Sequence, residues 1–256
     1  MTKPAVLFIH GAANGAWVWD FWRRELKALG WDAIVLDLRG HGRSLPVDMS
    51  EVTMEDYVAD VESVTSQVAA ATGVHPVIAG WSMGGLVAMM YAAKHEETPG
   101  LLLFSPSMPQ EVIGRGSLDE VRRTPNEPFG PELYGLYPED AEASKAALFD
   151  LTEAEGAAVL ARSAAALESG FARRQRKRGI SVTPGAVRGP VLLLYGELET
   201  ARSPELSRRL AVYLGGQAIE APGAGHWGIV YSEATVQFMA PQVVGWLNEH
   251  VDVAES

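Results

Sequence analysis

The sequence predicts an α/β fold, a mostly parallel sheet flanked by helices, with a helical cap inserted into it. Three observations carry this. Short apolar runs alternate with longer helix-like segments in both the first and the last third of the chain. Each run stops at glycine, serine or acidic turn residues. The stretch 108–187 between them has no convincing buried strand.

Strands are expected at Ala5–Ile9, Ala33–Asp37, Pro76–Ala79 and Leu101–Phe104, with helices near Trp19–Leu29, Met54–Ala71 and Met83–His95. Nearly continuous apolar strands imply a parallel sheet covered on both faces. In such sheets functional groups gather at the carboxyl ends of the strands. After Ser107 come Pro109, Pro125, Pro128, Pro131 and Pro138, then alanine-rich helical stretches at Ala141–Phe149 and Glu153–Leu167. The alternation resumes with Val191–Tyr195, a helix near Pro204–Leu214, a strand at Gln217–Ala221 and a last helix at Glu233–His250. The expected organisation is therefore a core in two parts, 1–107 and 188–256, interrupted by a cap at 108–187.

Composition narrows the class. The 256 residues are 47% hydrophobic and 21% charged, ordinary for a globular chain that buries a large core. There is no cysteine, which excludes a disulfide, a thiolate nucleophile and a Cys-based metal site. The net charge of −11 opposes general nucleic-acid binding. The apolar run Ala5–Ile9 is too short to span a membrane and lacks a signal-peptide cleavage region, so a cytoplasmic enzyme is expected. No phosphate loop, dinucleotide fingerprint or helical His-x-x-x-His pair occurs, and neither cofactor nor metal is expected. The expected partner is a small-molecule ester or lactone; oligomeric state is left open.

The strongest local signal is Gly80-Trp81-Ser82-Met83-Gly84, directly after a strand and before a helix. A serine on so tight a strand-to-helix turn projects outward, and the flanking glycines permit the crowded backbone. The helix that follows points its first N–H groups at developing negative charge. Near the C-terminus, the glycine-rich loop Pro222-Gly223-Ala224-Gly225-His226 follows the last strand, where it can carry an imidazole back to Ser82.

These segments, with His10-Gly11-Ala12 after the first strand and Asp37-Leu38-Arg39-Gly40-His41-Gly42-Arg43-Ser44 after the second, resemble the α/β-hydrolase superfamily over essentially the whole chain. The resemblance implies Ser82 as nucleophile, His226 as general base and the backbone N–H groups of Ala12 and Met83 as an oxyanion hole. It places the triad acid after the penultimate strand, where Glu199 stands in place of the usual aspartate. Glu197 and a remote acid such as Glu111 are the alternatives. Ala13, Trp81, Met108 and Trp227 are expected in the substrate pocket, with Met83 a further candidate.

Other residues have plainer readings. His10 is expected to be a structural turn residue, and His41 to bond within its own loop. His75, His95 and His250 are expected at the surface or at helix ends. Trp17 and Trp19 are expected to pack. So are Phe129, Tyr134, Tyr137, Phe149 and Phe171, which would seat the cap on the core. The run Arg173-Arg174-Gln175-Arg176-Lys177-Arg178 is expected to form a solvated helical face, with an anion-binding cap surface as the alternative. The cap should govern substrate choice more than chemistry, because the inferred reacting groups all lie outside it.

Cleavage of a small carboxylic ester through an acyl-enzyme is the implied reaction. Lactone hydrolysis, carbon–carbon hydrolysis and perhydrolysis stay open on the same triad, as does a ligand-binding receptor that retains the fold. The spacing of His10 through Trp17 also resembles hydroxynitrile lyases, but that branch commonly has lysine where this chain has Trp227.

Overall fold

The computed structural model describes residues 3–183, 185–200 and 202–251. Six strands, β1 (Val6–Ile9), β2 (Ala33–Leu36), β3 (Val77–Trp81), β4 (Leu101–Phe104), β5 (Val191–Gly196) and β6 (Gln217–Ala221), form one sheet in the order β2-β1-β3-β4-β5-β6. All pairings are parallel. The strand path therefore reverses between β1 and β3, where Ile9 lies opposite Gly80. Connections leaving these two strands diverge there and open a crevice at their carboxyl ends.

Side-chain alternation divides the core between the two faces of the sheet. Val6, Phe8, Ala79, Phe104 and Leu194 pack with Trp19, Trp22 and Leu26 and with the helix Glu233–His250. Leu7, Ile9, Ile78, Leu103 and Leu193 pack on the other side against Met54, Tyr57, Leu86 and Leu210. On the first face, α1 (Asp20–Ala28) is fastened by the Trp22 indole, which donates to the Ile229 carbonyl at 2.9 Å. On the second, α2 (Met54–Thr72) starts with a reciprocal cap between Thr53 and Asp56 and ends at Gly73 with φ 79°. Its neighbour α3 (Met83–Ala92) is buried along its whole length.

Between β4 and β5 the structure carries short helical turns, α4 (Glu153–Ser163) and α5 (Gly170–Arg178), and one isolated bridge between Phe129 and Glu168. The expected helix Ala141–Phe149 is only Ala141–Ser144, and turns follow it. The alanine content there favours helix, yet the segment ends with Phe149 and Asp150 packed against Gly225. After β5, α6 (Pro204–Tyr213) covers the second face and α7 (Glu233–His250) closes the first. No helix among the described residues is long and apolar enough to cross a membrane.

Gly84 lets α3 start against β1. A Cβ there would sit 2.3 Å from the His10 carbonyl oxygen and 2.4 Å from that of Ile9. Gly245, inside α7, has nothing within 4 Å of its would-be Cβ. Gly84→Ala should therefore destabilise the fold by about 3 kcal/mol through forced backbone displacement. Gly245→Ala should stabilise it by about 0.5–1 kcal/mol through helix propensity. Urea unfolding of both variants checks the opposite signs.

Candidate active site

Three non-glycine residues among those described have positive φ: Ala13 (53°), Ser82 (52°) and Ser105 (36°). They follow β1, β3 and β4, three neighbouring strands. Strained backbone persists only where its surroundings over-determine it, and it concentrates at functional sites. Ser82 is held from several sides. Its N–H donates to the Phe104 carbonyl at 3.1 Å, and its own carbonyl accepts from Ser107 at 2.7 Å and from Gly85 at 3.1 Å.

Ser82 and His226 border one cavity of about 430 Å³, together with Ala12, Ala13, Trp81, Met108 and Trp227. The Trp81 indole donates to the His226 carbonyl at 3.1 Å, and its ring lies 5.1 Å from the imidazole. His226 Nδ1 lies 2.6 Å from Glu199 Oε2, and the Glu199 side chain has no exposed surface. A carboxylate at that distance keeps the proton on Nδ1 and leaves Nε2 as the ring's acceptor. Glu197 instead accepts from the Gly223 N–H at 2.8 Å, bracing the turn before His226. Glu111 is bonded elsewhere, to Ser181 and the Val182 N–H. The Met83 side chain is fully buried in the core, so only its backbone N–H faces the helix start beside Ser82. Among the described residues, the N–H groups of Ala12 and Met83 have no protein acceptor, whereas that of Ala13 is taken by Glu168.

Glu168 and Asp150 were not singled out by the sequence, and both belong to the segment between β4 and β5. Glu168 is fully buried. Its carboxylate accepts from the Ala13 N–H (3.2 Å), the Tyr57 hydroxyl (2.6 Å) and the Ser169 N–H (2.8 Å), and it lies 3.6 Å from His41 Nε2. Burial pushes this carboxyl up, but His41, Arg176 and Tyr57 outweigh it and hold it down at about 2. Burial pulls His41 down and Glu168 more than reverses that, so His41 is raised. Beside it, burial and the His41 charge lower His10 to about 4. Neutral His10 bonds the Gly11 carbonyl through Nδ1 at 2.7 Å and accepts from the Leu38 N–H at 3.1 Å. Asp150 accepts from the N–H groups of Gly225 and Gly228, on either side of His226. Burial raises its carboxyl against those two donors.

The inferred reacting groups lie outside the segment between β4 and β5, as expected, but that segment bonds the loops carrying Ala13 and His226. A correction concerns the basic run. Arg173, Arg176 and Lys177 line the cavity rather than forming a purely solvated face, and Arg202 joins them from the core. The spacing i, i+3, i+4 puts those three on one side of a helix, a signal that counting the run's charges overlooks. The aromatic expectations divide. Trp19 is buried, and Trp17 stacks on Trp227 at 6.2 Å. Tyr134 and Phe149 line the cavity, whereas Phe171 is about half exposed. The remaining histidines are peripheral. His95 stacks on Tyr91 and His250 on Trp246.

A model of the alpha/beta hydrolase family matches residues 6–238. The chain belongs to the α/β hydrolase family. Among curated relatives, this chain is similar to the AB hydrolase superfamily protein YisY of Bacillus subtilis, 30% identical over 108 residues, 41% of this chain and 38% of that one. It is also similar to a probable alcohol acetyltransferase of Saccharomyces cerevisiae, 34% identical over 110 residues, 42% of this chain and 31% of the other. Both matches span less than half of the relative's length. Among solved structures, a thermophilic esterase from Thermogutta terrifontis superposes with a TM-score of 0.73 at 22% identity, over 97% of this chain and 90% of that one, a likeness of fold.

The buried Glu168–His41 pair makes stability depend on pH. The raised pKa of His41 means its contribution is fully present below 6.5 and fades as pH rises through the folded value. The depressed pKa of Glu168 means its contribution is present above 4.5 and fades as pH falls towards about 2. Glu168→Gln should therefore cost most, about 3 kcal/mol, between those two ordinary values, and less at alkaline pH. Urea titrations of both proteins at mildly acidic and alkaline pH measure this. An equal cost at both would reject the pairing.

Proposed function

We propose that the chain is a serine hydrolase cleaving a small carboxylic ester through an acyl-enzyme intermediate. The observation that carries this reading is the 2.6 Å contact between Glu199 and His226 Nδ1, in a cavity that Ser82 also borders. With the proton held on Nδ1, Nε2 takes the proton of the Ser82 hydroxyl as its Oγ attacks the ester carbonyl. The N–H groups of Ala12 and Met83 receive the oxyanion, and helix α3, which starts at Met83, turns its N-terminus towards the charge on that oxygen. Imidazolium then protonates the departing alcohol. Water repeats the sequence, deprotonated by Nε2, and releases the acid and Ser82. Glu199 stays ionised and stabilises the imidazolium throughout.

A fluorophosphonate probe should label Ser82, mapped by peptide mass. Ser82→Ala should lower kcat on 4-nitrophenyl butyrate by roughly 10⁵–10⁶ if the three groups act as a unit. Turnover no greater than that of Ser82→Ala would instead fit a ligand-binding receptor.

Glu199→Gln should reduce kcat by about 10²–10⁴ with little change in thermal midpoint, because imidazolium loses its charged partner. Glu197→Gln, which touches only the Gly223 turn, should do far less. The reverse order in steady-state kinetics would move the acid to Glu197.

A further inference from the structure

The cavity beside Ser82 is charged against the rest of the molecule. The chain has 32 acidic and 21 basic residues. Its cavity is nevertheless walled by Arg173, Arg176, Lys177 and Arg202, with no aspartate or glutamate among the described lining residues. None of these four forms an ion pair among the described residues, although many surface arginines do.

Arg176 and Arg202 are half-buried, and their partners are neutral. Arg202 donates to the Ser105 carbonyl at 3.1 Å and to the Ser107 hydroxyl at 3.0 Å. Ser107 in turn bonds the Ser82 carbonyl, so this guanidinium is fixed relative to the nucleophile. Arg176 reaches the Tyr134 hydroxyl at 3.4 Å, a long contact, and its buried Nε has no hydrogen-bond partner among the described residues. Its helix is docked by Gln175, which accepts from the Met54 N–H at 2.8 Å and donates to Glu55. Burial, with the nearby Arg176 charge acting in the same direction against Glu199, lowers Arg202 to about 10, leaving it cationic at neutral pH. Burial pulls Arg176 down, but Tyr134, Glu168 and Tyr57 more than reverse this, so Arg176 is raised and stays cationic; the Glu168 oxygens themselves are engaged by Ala13, Tyr57 and Ser169.

Arg202, hydrogen-bonded only to neutral groups and with the Arg176 charge nearby, carries a desolvation cost that a pocket for an uncharged acyl chain does not require. Guanidinium forks match the planar, bidentate geometry of a carboxylate. Arg173 lies over the Phe129 and Tyr134 rings at 5.5 and 5.1 Å, and Lys177 is exposed, so these two add field to the site.

We propose that Arg176 and Arg202 form an anion subsite, and that the esters cleaved at Ser82 carry an ionised carboxylate away from the scissile carbonyl. The substrate class rests on the serine-hydrolase reading, whereas the subsite does not.

Binding tests the subsite without turnover. Monomethyl adipate titrated calorimetrically into Ser82→Ala should bind at least about tenfold more tightly than dimethyl adipate. Adding Arg176→Gln should remove that difference, and added salt should shrink it. Arg178→Gln, outside the cavity, should preserve it. Equal binding of the two adipates overturns the subsite whether or not Arg176→Gln folds. A preference that survives both Arg176→Gln and Arg202→Gln overturns it too. Displacement of the monoester by inorganic phosphate more readily than by acetate would overturn the carboxylate assignment. In the active chain, kcat/KM for mono(4-nitrophenyl) adipate should exceed that for its methyl ester by at least about tenfold. A missing kinetic preference overturns the substrate class. Intact binding with no hydrolysis of any ester would sink the hydrolase reading and leave the subsite standing.

Discussion

Everything at this site depends on six strands running the same way. A parallel sheet delivers all its carboxyl ends to one edge, so loops distant in sequence must meet there. The reversal of strand order between β1 and β3 then sets the turn bearing Ser82 beside the loop bearing Ala12. Gly80 and Gly84 allow backbones to approach where any side chain would collide with carbonyl groups. The positive φ values of Ala13, Ser82 and Ser105 are local costs of that convergence, borne by the buried core beneath.

Much of this was legible because the signals are local. Strand β4 and helix α7 have the boundaries the apolar pattern predicts, since continuous burial leaves a period that can be read directly. Gly80–Gly84 and the loop before His226 announce tight turns through their glycines. Glu199 was legible only through family resemblance, since nothing in the spacing of residues 197 and 199 says which carboxylate faces an imidazole.

Glu168, Asp150 and Arg202 escape a reading of the sequence for a common physical reason. Each works by a contact spanning tens of residues or more, and the capped segment is held by individual polar bonds rather than by a periodic apolar face. Glu168 reaches Ala13 across 155 positions, and Asp150 reaches Gly225 across 75. Neither carboxylate sits in a motif. The composition of the basic run favours solvent over the anion-binding alternative, whereas its helical phase directs part of it inward. Phase mattered more than charge count.

The bonds from Asp150 and Glu168 also bear on how such a protein changes over evolutionary time. Two parts of the segment between β4 and β5 grip two different loops, one through Gly225 and Gly228, the other through Ala13. That segment is therefore no interchangeable module. A chimera that imported a foreign segment there would lose both grips unless the donor brought equivalent carboxylates in register. Side chains along one side of α5 that face the cavity, by contrast, can change without releasing either loop.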